Sequence, residues 1–143
     1  MSTYGYFANN GSEYVITNPQ TKRTQMNYLW NKKFLLAVNQ FGAGGGAYQN
    51  NAAFYISPKG RGAMLRNGNR YLYVKDAKTG TIWNPGWFPA KTKLDGYRCT
   101  HGQAFTRIDG KKDGVSVSWT LFVGTEEAVS AFVQGIVGID TCF

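Results

Sequence analysis

Turn signals recur along this chain at intervals of roughly ten residues, and that spacing restricts the fold more than any other feature. They read Asn9-Asn10-Gly11, Asn18-Pro19, Gly42-Ala43-Gly44-Gly45-Gly46, Ser57-Pro58-Lys59-Gly60, Asn67-Gly68-Asn69, Lys78-Thr79-Gly80, Asp95-Gly96, Asp109-Gly110 and Asp113-Gly114. The runs between them have strand chemistry. Val115, Val117, Trp119, Leu121 and Val123 fall on one face of a strand, and Ser116, Ser118 and Thr120 on the other. Residues 13–17 read as a strand ended by Asn18-Pro19, because proline donates no ladder hydrogen bond. Residues 28–30 and 34–40 read as a hairpin around Asn31-Lys32-Lys33, and 53–56 as a short strand. Residues 70–75 alternate Tyr71 and Tyr73 against Leu72 and Val74, so both faces have something to bury. Asp76-Ala77-Lys78-Thr79-Gly80 then turns the chain into Thr81-Ile82-Trp83. Residues 126–137 fit a helix or a buried strand; their β-branched content and Gly135 and Gly138 favour the strand. The expectation is an all-β antiparallel sandwich forming a single domain over residues 1–143.

The glycine run at 42–46 invites a phosphate-loop reading, but no Gly-Lys-Ser/Thr and no helical pattern follow it. It reads instead as a flexible hairpin tip or a bulge between strands. The chain of 143 residues carries a net charge of +8, which raises anionic partners as a possibility. The bases come in pairs beside turns, Lys22-Arg23, Lys32-Lys33 and Lys111-Lys112, and none lies beyond Lys112. That is the pattern of solvated loop charge, so no nucleic-acid partner is expected. Two cysteines, Cys99 and Cys142, have no metal-binding spacing, and a single histidine cannot complete a structural zinc site. No metal or cofactor is expected. The N-terminus has neither the basic nor the apolar region of a signal peptide, which points to a cytoplasmic chain with free thiols. The apolar stretch at 128–139 is broken by Gln134 and two glycines and is too short to cross a bilayer, so no membrane partner is expected.

The most concentrated chemistry lies in Tyr97-Arg98-Cys99-Thr100-His101-Gly102-Gln103-Ala104-Phe105-Thr106-Arg107-Ile108, close to Trp83-Asn84-Pro85-Gly86-Trp87-Phe88-Pro89. It supports two readings: a polar, aromatic-rimmed surface for a sugar or a partner, or a β-hairpin with Gly102 as a bulge and solvated arginines. The binding candidates are Tyr28, Trp30, Trp83 and Trp87 as stacking platforms, with Arg98, His101, Gln103 and Arg107 as polar contacts. Core packing is the competing role of the tryptophans, expected for Trp119 and for at least one of Trp83 and Trp87. Cys99 and His101 share a strand face, but no third group to orient them is evident, so a cysteine nucleophile is not expected. Asp95, Asp109 and Asp113 read as turn carboxylates rather than as acids for catalysis.

Several stretches in order carry a family resemblance. They are Tyr4-Gly5-Tyr6-Phe7, Glu13-Tyr14-Val15-Ile16-Thr17-Asn18-Pro19-Gln20-Thr21, Met26-Asn27-Tyr28-Leu29-Trp30-Asn31 and Gly44-Gly45-Gly46-Ala47-Tyr48, then Arg70-Tyr71-Leu72-Tyr73-Val74-Lys75-Asp76, Thr79-Gly80, Trp83-Asn84-Pro85-Gly86-Trp87 and residues 98–108. Together they resemble the N-terminal β-sandwich domain of cellobiose and cellodextrin phosphorylases, inverting phosphorylases of glycoside hydrolase family 94. The resemblance runs to about Val123. It implies a non-catalytic domain that borders a sugar site. Because that domain is usually longer than this chain, it also implies an incomplete sandwich, completed by self-association into a homodimer or higher oligomer. In such enzymes a separate α/α barrel carries the general acid, and that barrel is expected to be absent here. The chain alone is therefore expected to release no glucose 1-phosphate from cellobiose and inorganic phosphate. The implied partners are a second copy of the chain and, as an alternative role, a β-glucan oligosaccharide held by a stand-alone carbohydrate-binding module.

Overall fold

A computed structural model of the chain describes residues 4–49, 53–55, 70–125 and 130–139. The turn signals at 57–60 and 67–69, together with Cys142, lie outside the described residues. The strands are β1 (Gly5–Ala8), β2 (Glu13–Ile16), β3 (Met26–Trp30), β4 (Phe34–Asn39), β5 (Gly44–Gln49), β6 (Ala53–Tyr55), β7 (Val74–Lys75), β8 (Ile82–Trp83), β9 (Gly96–Gly102), β10 (Phe105–Lys112), β11 (Val115–Val123) and β12 (Ser130–Ile139). A 3-10 turn at Asn9–Gly11 is the only helical element among the described residues. The strands form a six-stranded sheet ordered β1-β2-β9-β10-β11-β12, a four-stranded sheet ordered β3-β4-β5-β6, and the two-stranded β7-β8. Every pairing is antiparallel. The all-β antiparallel sandwich expected from the turn spacing is the fold observed.

The core lies between the two larger sheets. The period of two along a strand selects Val117, Trp119 and Leu121 on β11, Ile108 on β10, Cys99 on β9 and Ile16 on β2 as buried residues. Leu29, Phe34, Leu36 and Val38 of the four-stranded sheet meet all of these except Val117 in one cluster. Burying each large side chain contributes about 1.5–3 kcal/mol. The alternation read for Val115–Val123 therefore holds, and 130–139 adopts the strand alternative.

Four local readings are corrected. Asp109-Gly110 lies inside β10 and is not a turn. Gly110 is required for space: a methyl group there would stand 2.5 Å from Cα of Pro85, so the loop after β8 rests directly on the sheet. Gly102 is no bulge. It ends β9 in regular register opposite Glu13, and a methyl there would meet the Phe105 ring at 2.5 Å. The register shift of the six-stranded sheet falls at Val115/Ser116 instead. Gly44, Gly45 and Gly46 are strand residues of β5 rather than a flexible tip. Only Gly42 sits in the turn, at φ +82, where a methyl would also run into the Trp119 ring.

The fourth correction concerns residues 70–75, of which only Val74–Lys75 pair as a strand. Side-chain hydrogen bonds tie the rest to neighbouring segments. Arg70 donates from Nε to the Gly42 carbonyl at 3.2 Å and from Nη2 to the Ala37 carbonyl at 3.2 Å. Burial lowers the Arg70 pKa to about 10. The Leu72 carbonyl accepts from Asn84 Nδ2 at 2.7 Å, and Asn84 Oδ1 accepts from the Ala90 amide at 2.8 Å. Asn84 is itself buried, so this one amide fastens both sides of the β7–β8 unit. Tyr73 is left 54% exposed rather than buried.

Candidate functional site

Strand parity decides what the residues at 97–108 can do. On β9, Tyr97, Cys99 and His101 face the core, and Arg98 and Thr100 face away from it. His101 thus points between the sheets. Its Nε2 lies 3.3 Å from the Gln25 carbonyl, which only accepts, so Nε2 carries the proton. Nδ1 accepts from the Thr106 hydroxyl at 3.0 Å. Asn27 Nδ2 donates to Thr106 Oγ1 at 3.1 Å and to the Gly102 carbonyl at 2.9 Å, which closes the network across the two sheets. Burial lowers the His101 pKa to about 4, against a smaller opposite effect of the Gln25 carbonyl, so the ring is neutral at pH 7. The Cys99 sulfur lies 3.9 Å from both ring nitrogens, but burial pushes the thiol far above its ordinary range. A thiol held neutral beside a neutral imidazole is a packing pair, not a nucleophile with its base.

Both arginines lie on the opposite face of the six-stranded sheet. Arg98 Nη2 donates to the Tyr6 hydroxyl at 3.1 Å. Arg107 Nε donates to Thr120 Oγ1 at 3.3 Å, and its guanidinium lies 5.7 Å from the centre of the Phe105 ring. The structure therefore separates His101 from Arg98 and Arg107.

It does bring Trp30 and Gln103 together. They line a cleft of about 700 Å³ with Lys32, Lys33, Val123 and Thr125, at the end of the sandwich where the β3–β4 and β9–β10 turns meet the exit of β11. Asn31 holds this corner in place. Its Nδ2 donates to the Gly124 carbonyl at 2.6 Å, and its Oδ1 accepts from the amides of Lys33 and Phe34, each at 2.7 Å. The asparagine fixes the turn and leaves Trp30, 71% exposed, standing over the opening. Tyr28, 48% exposed, lies two residues back on the same strand face. Lys32 and Lys33 make no ion pair among the described residues. Trp83 and Trp119 are core residues, while Trp87 is half-buried with its ring 6.0 Å from that of Phe41. Sequence reasoning set Lys32-Lys33 aside as loop charge and missed Val123 and Thr125. The one available signal was Asn31 at the hairpin tip, whose short polar side chain is suited to bond back to the backbone.

Residues 12–132 match the family described as glycosyl hydrolase 94, supersandwich domain, so the likeness runs past Val123 into β12. The chain is 49% identical over 131 residues to a solabiose phosphorylase of Paenibacillus borealis, a match covering 90% of this chain and 17% of that protein. It is 38% identical over 120 residues to a 3-O-beta-D-glucopyranosyl-beta-D-glucuronide phosphorylase of the same organism, covering 84% of this chain and 14% of that protein. An N,N'-diacetylchitobiose phosphorylase of Vibrio proteolyticus is 32% identical over 123 residues, again 84% of this chain and 15% of its own length. The chain thus spans less than a fifth of the curated relatives it matches.

Proposed function

The chain belongs to the glycosyl hydrolase 94 family as a supersandwich domain, and on that premise we propose that it acts as a non-catalytic accessory to a sugar-active site of a carbohydrate phosphorylase. The observation that carries this reading is the exposed Trp30 over the cleft shared with Gln103. An indole face packs on the C–H face of a sugar ring, and an amide with free donors and acceptors meets its hydroxyls. Cleavage of the glycosidic bond needs a positioned acid and a phosphate on the opposite face of the sugar. On this reading both belong to the part of such phosphorylases outside the matched segment.

Trp30 also makes the reading testable. Trp83 and Trp119 are 3% and 5% exposed and so are shielded from any ligand at the surface. Titration with cello-oligosaccharides at millimolar concentration is expected to change the tryptophan fluorescence of the chain. The change should vanish in Trp30→Ala. An unaltered spectrum at millimolar sugar rejects the reading, and with it the alternative of a stand-alone carbohydrate-binding module.

A second reading, self-association, is favoured by β1. This edge strand reads Gly5-Tyr6-Phe7-Ala8, with no charge or proline to discourage pairing. Phe7 is 73% exposed and touches the Tyr14 ring at a centroid distance of 5.0 Å. Light scattering at micromolar chain is expected to give the mass of a dimer or larger, and Phe7→Glu to give a monomer. A monomeric parent chain would remove this reading.

A further inference from the structure

The face of the six-stranded sheet turned away from the core carries a second concavity, of about 270 Å³, framed by β1, β2, β9 and β10. It shares no residue with the Trp30 cleft. Val15 and Thr100, paired in register, form its floor and are 2% and 9% exposed, although they lie on an outer face. Arg98, Arg107, Glu13 and Asp109 form its walls. Arg98 and Arg107 are exposed, so their guanidinium groups are available at the rim.

The pairing of these four charges is unexpected. Asp109 stands directly across from Arg98 in the ladder, a position where opposite charges ordinarily attract. No ion pair joins them, nor any of the four, among the described residues. Arg98 turns to the Tyr6 hydroxyl and Arg107 to Thr120 and the Phe105 ring. The bowl therefore holds guanidinium donors and carboxylate acceptors side by side with capacity left over. An anion would meet as many like charges as opposite ones, and an apolar group would leave all four without partners. A ring with several hydroxyls, each both donor and acceptor, meets both kinds. The volume lies just below the range of drug-sized ligand sites, about 300–1,000 Å³, and so suits no more than a single ring.

We propose that this bowl is a second carbohydrate contact, which binds one neutral pyranose unit through donors from Arg98 and Arg107 and acceptors on Glu13 and Asp109. It recognises the ring by hydrogen bonds and not by stacking. One side of Phe105 already rests on Gly102, and Arg107 lies over the ring.

The test follows backbone amide shifts of the isotope-labelled chain during titration with D-glucose and, separately, with inorganic phosphate. Millimolar glucose is expected to shift the amides of Glu13, Thr100 and Arg107, and phosphate to leave them in place. Arg98→Ala and Asp109→Ala should each weaken glucose binding at least about tenfold. Neither residue belongs to the core cluster, so loss of binding with an otherwise intact amide spectrum separates recognition from folding. Trp30→Ala should leave these shifts unchanged, so failure of the cleft and failure of the bowl are told apart. No shift at millimolar glucose overturns the proposal. So does a response to phosphate alone, or binding that Arg98→Ala does not alter.

Discussion

Trp119→Ala is expected to remove a large part of the stability of this domain. The side chain is 5% exposed and lies in the central cluster with Ile108, Leu121 and Leu36. Its ring fills the space left by Gly42 in the β4–β5 turn. Truncating a buried tryptophan costs about 3–5 kcal/mol, from lost transfer energy and from the cavity left behind. Typical domains have only about 5–15 kcal/mol in total. At roughly 4 °C per kcal/mol for a chain of this size, the midpoint of thermal unfolding should fall by about 10–20 °C. Trp30→Ala removes the same side chain from the surface and should stay within about 0.5 kcal/mol of the parent. Equal losses in the two variants, measured by urea or heat, would mean that the assignment of core and surface is wrong.

Acid is expected to weaken the fold over a window set by His101. Its pKa is about 4 in the folded chain against an ordinary 6.5. Above pH 6.5 the ring is neutral in both states and makes no pH-dependent contribution. As pH falls from 6.5 towards 4, the unfolded chain takes up the proton and the folded chain does not, so stability declines. Below pH 4 both states are protonated and the decline levels off, at a total of about 3 kcal/mol. Asp76 acts in a different window. Its carboxylate accepts from the Thr79 hydroxyl and the Lys78 amide, which lowers its pKa, so its contribution disappears only below the ordinary carboxylate range. His101→Gln keeps a donor and an acceptor in the network but does not titrate. Its stability should stay nearly flat between pH 6.5 and 4 while that of the parent falls. Parallel pH curves for the two chains would count against a neutral His101 held between the sheets.

The sandwich was legible because alternation and turn chemistry are local. Val115–Val123 shows its two faces in sequence, and the hairpin at Asn31-Lys32-Lys33 needs only its own residues to be recognised. What failed locally was set by distant partners. Gly110 looks like a turn glycine beside Asp109, but its cause is Pro85 lying on the strand. Residues 70–73 have strand composition, but Arg70 and Asn84 side chains occupy the carbonyls around them. The candidate site was half legible. Parity along β9 already puts Arg98 and His101 on opposite faces once both are read as strand residues. Grouping them by closeness in sequence hid that. The bowl depends on the register of β2 with β9 and of β9 with β10, which no single strand reveals.

The order of the six-stranded sheet also bears on how the chain reaches this fold. β9, β10, β11 and β12 follow one another in sequence and in space, so they zip together from neighbouring hairpins. β2 pairs with β1 in the same way, but its other edge has no such neighbour: Val15 pairs with Thr100, and the whole four-stranded sheet is made from the chain between them. Closing so long a loop costs entropy before any contact rewards it, which makes this seam slow to form. During synthesis the β1–β2 hairpin is made before β9 and waits for it. Until then its apolar edge is open to other chains, and chaperone capture of nascent chains should concentrate there.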